Sequence, residues 1–400
     1  MKKRTLESIL KIALDTFPVV LLNGARQVGK STIALENFKN YLTFDDGELR
    51  LYAKENPKRF LKNLDLPICL DEIQKVPTLL EYIKIHIDTN RKNGDFLLTG
   101  SSNILDHKEC KDTLAGRLCE LRLHPLSSKE KNDKSNENII EKLLARDFKL
   151  AKKNYIDEVI EHILDGGYPE VSELKGLSKD LWFTSYIATY IERDARDLAD
   201  IRDIDSFIKF VNILASRSGT LLNKSSLSNA IGIKDITTEN YLYIISRIYQ
   251  VTVLKPYFVN IGKQFVKSPK VFFNDTGVLC KLLKINSKEQ LLSSNYSGQI
   301  FETYIFCELQ KHLSYLHNSA SIFHYRTNDK KEIDFIIEVN NEILAIEVKQ
   351  SSSVKKEDFK HIIDLQNRYD KKCLGVVFYN GDMVIDFSDN LVALPFGIFL

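Results

Sequence analysis

The sequence has few of the residues that mark specialised protein classes. Its 400 residues include one tryptophan, two methionines, six cysteines and nine prolines, and the net charge is only +2. The cysteines are scattered, with no CxxC pair and no histidine at ligand spacing, so we expect free buried thiols rather than a zinc site or a disulfide framework. The balanced charge excludes a polycation that binds nucleic acid along its whole length.

Long hydrophobic runs are also lacking. No apolar stretch approaches the ~18 residues of a membrane span, and Glu7, Lys11 and Asp15 interrupt the first apolar segment at helical spacing. We therefore expect no membrane segment, no signal peptide and a cytoplasmic location. Hydrophobic residues make up 44% of the chain and charged residues 28%. These values are typical of a globular protein, and the length allows two or three domains.

Short apolar runs alternate with helical patterns in the first part of the chain. The predicted strands are Pro18–Leu22, Tyr41–Phe44, Ile68–Asp71 and Phe96–Thr99. This alternation predicts an α/β fold with a parallel sheet. The ten polar residues that follow at 129–138, KEKNDKSNEN, are typical of a linker or a surface loop.

Residues 24–31, GARQVGKS, match the motif G-x-x-x-x-G-K-[ST] between an apolar strand and a helix. Its glycines let backbone N–H groups surround phosphates, Lys30 supplies a cation, and Ser31 offers a hydroxyl to Mg²⁺. We therefore expect ATP and Mg²⁺ as cofactors. The expected nucleotide-binding residues are Gly24, Ala25, Arg26, Gln27, Val28, Gly29, Lys30, Ser31 and Thr32.

A second apolar run ends in Asp71 and Glu72, at the edge where open α/β sheets bind ligands. Asp71 is expected to hold Mg²⁺ together with Ser31, and Glu72 to polarise the attacking water. Ser101 follows the next strand and is expected near the γ-phosphate or that water. The alternative is that this serine is present only because serine is favoured in turns. These features predict an ATPase with one strand between the P-loop strand and the Asp-Glu strand.

ATP hydrolysis also calls for an arginine that neutralises charge in the transition state. Arg117, in LAGR, and Arg193, in YIERD, are the candidates. Either is equally explained as an ordinary salt-bridge residue.

Four sequence stretches resemble a known family: GARQVGKST, LDEIQKVP, FLLTGSSN and LAGRLCELRLHPLSSKE. They are similar to the AAA-like P-loop ATPases of bacteria and archaea that carry a C-terminal domain of unknown function 4143. Later stretches such as YIERDARDLADI and NDTGVLCKLL resemble that C-terminal half, so the likeness covers nearly the whole chain. It implies a winged helix and a nuclease-like fold after the ATPase domain.

The residues at 205–273 read as three helices and a β-ribbon, the pattern of a winged helix. Between Ser216 and Lys270 there are eight basic residues against two acidic ones, a local charge that favours binding to a phosphate backbone. Lys263, Lys267 and Lys270 on the expected wing are the candidate DNA contacts. The alternative is a winged helix that serves only packing or oligomer contacts.

Two alternating runs, 332–339 and 342–349, flank Asn340-Asn341 and predict a two-residue hairpin. Asp334 then stands opposite Glu347, on the same polar face as Lys349. Two adjacent carboxylates repel each other unless a cation such as Mg²⁺ or Mn²⁺ lies between them. Lys349 would then stabilise the nucleophile or the transition state.

Asp-x(12)-Glu-x-Lys is similar to the motif of the PD-(D/E)xK nuclease-like fold. That resemblance implies a further metal-binding acid, Glu302, from the preceding helix, beside Asp334 and Glu347. An inactive nuclease-like fold remains the alternative to DNA cleavage.

Together these features predict an α/β chain of four parts. They are an AAA-like P-loop ATPase domain at 1–128, a helical connector at 139–204, a winged helix at 205–273 and a restriction-endonuclease-like domain at 274–400. The expected function is Mg²⁺-dependent ATP hydrolysis coupled to double-stranded DNA binding or cleavage, with a homo-oligomer left open. The alternative function is a nucleotide-dependent switch whose nuclease-like fold is inactive.

Overall fold

The computed structural model describes residues 2–101, 114–148, 155–191, 195, 201, 203–257, 268–316, 320–369 and 372–400. Within these ranges the chain forms two units, one of residues 3–125 with 247–249 and one of residues 126–246 with 250–400. No helix in the described ranges is long and apolar enough to cross a membrane. The five cysteines within them are free, as expected, and Cys110 lies outside them.

The first unit is built on a five-stranded parallel sheet. Its strands are β1 (Val19–Asn23), β2 (Asn40–Thr43), β3 (Ile68–Asp71), β4 (Phe96–Gly100) and β5 (Leu118–Arg122). They lie in the order β2-β3-β4-β1-β5, so β4 is the strand predicted between the P-loop strand and the Asp-Glu strand. β1, β3 and β4 are buried along their whole length, because both faces of the sheet are covered.

Five helices in the described part of this unit accompany the sheet: α1 (Leu6–Thr16), α2 (Lys30–Asn37), α3 (Gly47–Glu55), α4 (Pro57–Lys62) and α5 (Leu79–Thr89). In α1 the residues Leu6, Leu10 and Ala13 recur at helical spacing and are buried. Asp46 caps α3 by accepting hydrogen bonds from two backbone N–H groups of its first turn. α2 follows β1 directly, which sets the P-loop between a buried strand and a helix N-terminus.

The second unit begins with helices. They are α6 (Ser128–Lys131), α7 (Ile139–Ala145), α8 (Ile156–Asp165) and α9 (Leu177–Tyr186). The polar stretch 129–138 is not a linker, so that expectation is wrong. Lys129 is buried and donates to the backbone oxygen of Leu400 at 2.7 Å, and Asn138 donates to the backbone oxygen of His312 at 2.9 Å. These polar groups are therefore paired inside the unit.

A helical segment with a small sheet follows. Its elements are α10 (Ile204–Ala215), β6 (Thr220–Leu221), α11 (Lys224–Ile231), α12 (Asp235–Arg247), β7 (Val251–Leu254) and β8 (Lys270–Phe273). The three strands are antiparallel in the order β6-β8-β7. The predicted wing residues Lys263 and Lys267 lie outside the described residues.

The remaining elements form a mixed six-stranded sheet and its helices. The helices are α13 (Thr276–Leu282), α14 (Lys288–Ser293), α15 (Ser297–Ser314) and α16 (Lys360–Gln366). The strands are β9 (Ala320–Arg326), β10 (Glu332–Val339), β11 (Glu342–Lys349), β12 (Cys373–Tyr379), β13 (Ile385–Ser388) and β14 (Leu391–Pro395). Their order in the sheet is β13-β14-β12-β11-β10-β9.

The predicted hairpin is confirmed. Asn340 and Asn341 both have positive φ, at 47° and 72°, as a two-residue turn of type I′ requires. The register runs from Val339 opposite Glu342 to Phe335 opposite Ile346. Because side chains alternate between the faces of a strand, Phe335 and Ile337 lie on one face of the hairpin and Ile336 on the other. All three are buried, so both faces of the hairpin are covered.

Candidate functional site

The P-loop follows β1 and curls through left-handed backbone conformations. Gly29 has φ 100° and Gln27 has φ 60°. A Cβ atom at Gly24 would lie only 2.3 Å from the backbone oxygen of Leu123, so no other residue fits there. Lys30 begins α2, is buried, and its Nζ donates to the backbone oxygens of Gly24 at 2.9 Å and Ala25 at 2.8 Å. The ammonium group of Lys30 therefore contacts the backbone at the start of the P-loop.

Arg4 supports this loop, and sequence reasoning missed it because no motif includes it. Its guanidinium is buried and donates to the backbone oxygen of Val28 at 2.7 Å and to that of His124 at 2.6 Å. One side chain thus ties the P-loop to the segment after β5. We infer that Arg4 fixes the path of the loop that would surround the phosphates.

Asp71 lies at the carboxyl end of β3, at the edge of the sheet where the sequence predicts it. Its carboxylate accepts hydrogen bonds from Tyr41 Oη at 2.7 Å, from Ser31 Oγ at 3.4 Å and from Thr99 Oγ1. Burial and the bond to Asp71 raise the pKa of Tyr41. Ser31 and Asp71 thus meet at one edge of the sheet. Their hard oxygen atoms fit Mg²⁺, which keeps several of its waters and needs few protein ligands.

Glu72 follows in a left-handed conformation, with φ 58°. One oxygen of its carboxylate accepts from Ser101 Oγ at 3.1 Å and from Gln74 Nε2. Gln74 also donates to Ser101 Oγ at 2.9 Å. Ser101 is therefore brought to Glu72, at the end of β4. Gln74 was not anticipated, because only its position two residues after Glu72 hints at this contact.

Arg117 does not lie at the P-loop of this chain, which corrects its assignment to the nucleotide site. Its backbone oxygen accepts from Val19 N, at the amino end of β1, whereas the P-loop leaves the carboxyl end. Its Nε lies 2.5 Å from Asp88 on α5. A parallel sheet separates these two edges by the length of a strand. Arg193 lies outside the described residues.

The second unit brings four carboxylates together in what we call the acidic centre: Glu302 on α15, Glu332 and Asp334 on β10, and Glu347 on β11. Asp334 accepts from the backbone N–H of Val348 at 2.9 Å. Lys349 Nζ lies 3.6 Å from Glu347. The predicted acids and the predicted lysine are thus neighbours.

Lys270 on β8 is part of the same cluster. Its Nζ lies 2.9 Å from Glu302, 2.8 Å from Glu332 and 3.7 Å from Asp334, and its side chain is 3% exposed. This placement corrects the prediction of Lys270 as a DNA contact, because its ammonium faces carboxylates inside the unit. The salt bridges outweigh burial and raise the pKa of Lys270.

The four carboxyl groups of the centre outnumber its two lysines, Lys270 and Lys349. Burial and the neighbouring Asp334 raise the pKa of Glu302 to about 8, despite Lys270, and they also raise the pKa of Glu347. No three His, Cys, Asp or Glu side chains in the described part of the chain are grouped so that they could hold a metal ion. With Lys270 in place, the acidic centre does not fit the expected Mg²⁺ or Mn²⁺.

Three family models match successive parts of the chain. Residues 16–132 match an AAA domain. This match supports a P-loop ATPase domain in the first unit. Residues 156–289 match a domain of unknown function, DUF8612, and residues 297–399 match another, DUF4143. The resemblance to chains that carry domain 4143 is thereby confirmed, whereas the DUF8612 match was not anticipated.

Relatives from bacteria and archaea are similar along almost the whole chain. An uncharacterised protein of Mycobacterium tuberculosis is 26% identical, over 99% of this chain and 84% of that protein. An uncharacterised protein of Methanocaldococcus jannaschii is 24% identical, over 99% of this chain and 91% of that protein. Among solved structures, AMPPCP-bound DnaA from Aquifex aeolicus is 16% identical, over 60% of this chain and 86% of that one, with a TM-score of 0.27.

Proposed function

We propose that the first unit binds ATP with Mg²⁺ and hydrolyses it. The observation that carries the proposal is the meeting of Ser31 and Asp71 at the edge of the sheet where the P-loop leaves β1. P-loop N–H groups and the N-terminus of α2 would bind the phosphates, and Lys30 would exchange its bonds to the loop for phosphate oxygens. Mg²⁺ held by Ser31 and Asp71 would neutralise phosphate charge.

Glu72 is the proposed general base that polarises the attacking water. Its carboxylate is held by Gln74 and Ser101 in this structure. It must therefore turn from these donors, or share them with the water, when ATP is bound. A cytoplasmic location and a homo-oligomer stay predictions beside this activity.

Phosphate release from ATP tests the proposal directly. Lys30→Ala should abolish nucleotide binding or turnover, and Glu72→Gln should keep ATP binding but lose turnover by ~10²-fold or more. Glu81→Gln, an exposed glutamate on α5, is the matched control and should behave like the wild type. Full turnover by Glu72→Gln would refute the role of Glu72, and omission of Mg²⁺ should stop turnover in every variant.

Duplex-DNA binding by the second unit is a second candidate function. The order helix, strand, helix, helix, strand, strand at 204–273, with β8 between β6 and β7, supports a winged helix. Winged helices of this order bind duplex DNA through a helix in the major groove, as helix-turn-helix proteins do. Burial of Lys270 removes one of the expected contacts and leaves Lys263 and Lys267 as the predicted ones.

Fluorescence anisotropy with a labelled duplex, with and without ATP, tests this function. Replacing Lys263 and Lys267 together by alanine should weaken binding and lower the salt dependence by ~2 released counterions. The matched control replaces Lys356 and Lys360, two exposed lysines near α16, and should bind normally. An equal loss of DNA affinity in both double variants would mean that binding depends on the net charge of the chain and not on Lys263 and Lys267.

The order of α15, the β9–β11 strands, α16 and β12 supports a restriction-endonuclease-like fold for the last part of the chain. We propose that this fold serves binding and that ATP hydrolysis acts as a switch on it. The observation that favours this choice over cleavage is the Lys270 ammonium within the acidic centre. Plasmid and linear duplex DNA incubated with Mg²⁺ and ATP should stay uncut by the wild type.

A further inference from the structure

The acidic centre receives its cation from the chain itself. Lys270 is the residue at which β8 pairs with both neighbours, opposite Leu221 on β6 and opposite Leu254 on β7. Its backbone is thus fixed from both sides. The side chain then reaches Glu302 and Glu332 at hydrogen-bonding distance, with Asp334 slightly farther away.

Charge explains why this arrangement is stable. A buried ammonium group without partners would be strongly destabilising, and so would several buried carboxylates without a cation. Lys270 is 3% exposed and Glu302 is 16% exposed. The three N–H groups of an ammonium match carboxylates that approach from different elements. Each group therefore removes the penalty of burying the others.

A divalent ion and this ammonium exclude each other. A metal ion bound by Glu302 and Asp334 would lie ~2.0–2.6 Å from their oxygens, in the space that Nζ of Lys270 already borders. The repulsion between a divalent ion and an ammonium a few ångströms apart, in a site screened from water, is large. Asp334 cannot turn away freely, because it accepts from the N–H of Val348.

We propose that the ammonium group of Lys270 is the permanent cation of the acidic centre and takes the place of a divalent metal ion. The centre then holds α15, β8, β10 and β11 together and does not cleave phosphodiesters by metal catalysis. This inference uses the proposed nuclease-like fold only for the expectation of a metal. It does not depend on ATP hydrolysis in the other unit. An experiment that refutes one of the two proposals therefore leaves the other standing.

Binding of Mn²⁺ to the full chain without nucleotide, followed by electron paramagnetic resonance, tests the proposal. The wild type should show no saturable site that Asp334→Asn abolishes, and its melting temperature should be equal in Mn²⁺ and in EDTA. Lys270→Ala should gain one Mn²⁺ per chain, should melt lower than the wild type in EDTA, and should recover in Mn²⁺. Lys270→Ala combined with Asp334→Asn should lose the gained site.

Lys372→Ala is the matched control, because Lys372 pairs with Glu342 in the same unit, at the end of β11 opposite to Glu347 and Lys349. It should not gain Mn²⁺. A wild-type Mn²⁺ site that depends on Asp334 would overturn the proposal, and so would a folded Lys270→Ala that gains no metal. If Lys270→Ala does not fold, Lys270→Met with Glu302→Gln removes one charge of each sign. That variant should fold without Mn²⁺. If it does not fold without Mn²⁺, the result counts against the proposal.

Discussion

At the residue scale, the candidate nucleotide site depends on side chains to which the sequence pattern assigns no role. Arg4, Tyr41 and Gln74 each bond to a motif residue or to the loop backbone. Arg4 and Tyr41 are not predictable from one sequence, because they come from elements that meet their partners only in the folded sheet. Gln74, in contrast, lies two residues from Glu72 without a pattern that predicts its contact. The places of the motif residues at the ends of their strands were predictable, since the P-loop and the Asp-Glu pair each follow an apolar strand directly.

Gln74 offers the sharpest test at this scale. Because it donates to Glu72 and to Ser101, Gln74→Ala should free the carboxylate to turn towards water. We expect kcat for ATP to rise severalfold with an unchanged KM. The matched control is Gln290→Ala on α14, which replaces a glutamine of the second unit and should leave both constants unchanged. A fall in kcat would instead mean that Gln74 positions Glu72 for catalysis.

At the element scale, hairpin and sheet were predictable to different extents. Alternation of apolar residues around Asn340-Asn341 was enough to predict β10, β11 and their register. β5 was missed because its five residues, LCELR, include two charges and are half-buried. The burial of Lys129 and Asn138 was missed because their partners are far away in sequence, with Leu400 271 residues from Lys129.

The turn between β10 and β11 gives the prediction at this scale. Asn341 has φ 72°, a conformation that costs a β-branched residue ~1–2 kcal/mol. Asn341→Val should therefore lower the free energy of unfolding by about that amount, whereas Asn341→Gly should leave it unchanged or raise it slightly. Urea unfolding measures both. Asn328→Val, at an exposed position where φ is not positive, should have little effect.

At the scale of the whole molecule, burial shifts the titration of three histidines in the described part of the second unit. It lowers the pKa of His162 to about 2, of His312 to about 3 and of His324 to about 4, from the ordinary 6.5. They are therefore neutral in the folded unit. Below pH ~6.5 the unfolded chain takes up protons that the folded chain does not, so stability falls as the pH falls.

Each histidine should contribute a loss of ~1.4 kcal/mol per pH unit between about pH 6 and about pH 4. Urea midpoints of the second unit at several pH values in this range measure the slope. His312→Leu should make the slope shallower, because it removes one group that takes up a proton only in the unfolded chain. Leucine suits this site, since neither nitrogen of His312 has a hydrogen-bond partner that it would forfeit. His86→Gln, on α5 of the first unit, should keep the slope, and an equal change in both variants would contradict the assignment.

Lys270 also limits how this chain can evolve. It lies in the part that matches DUF8612, whereas its partners Glu302 and Glu332 lie in the part that matches DUF4143. A chain that exchanged one part for an unrelated one would bury charge of a single sign. We therefore expect the two parts to be inherited together and substitutions at these positions to occur in compensating sets.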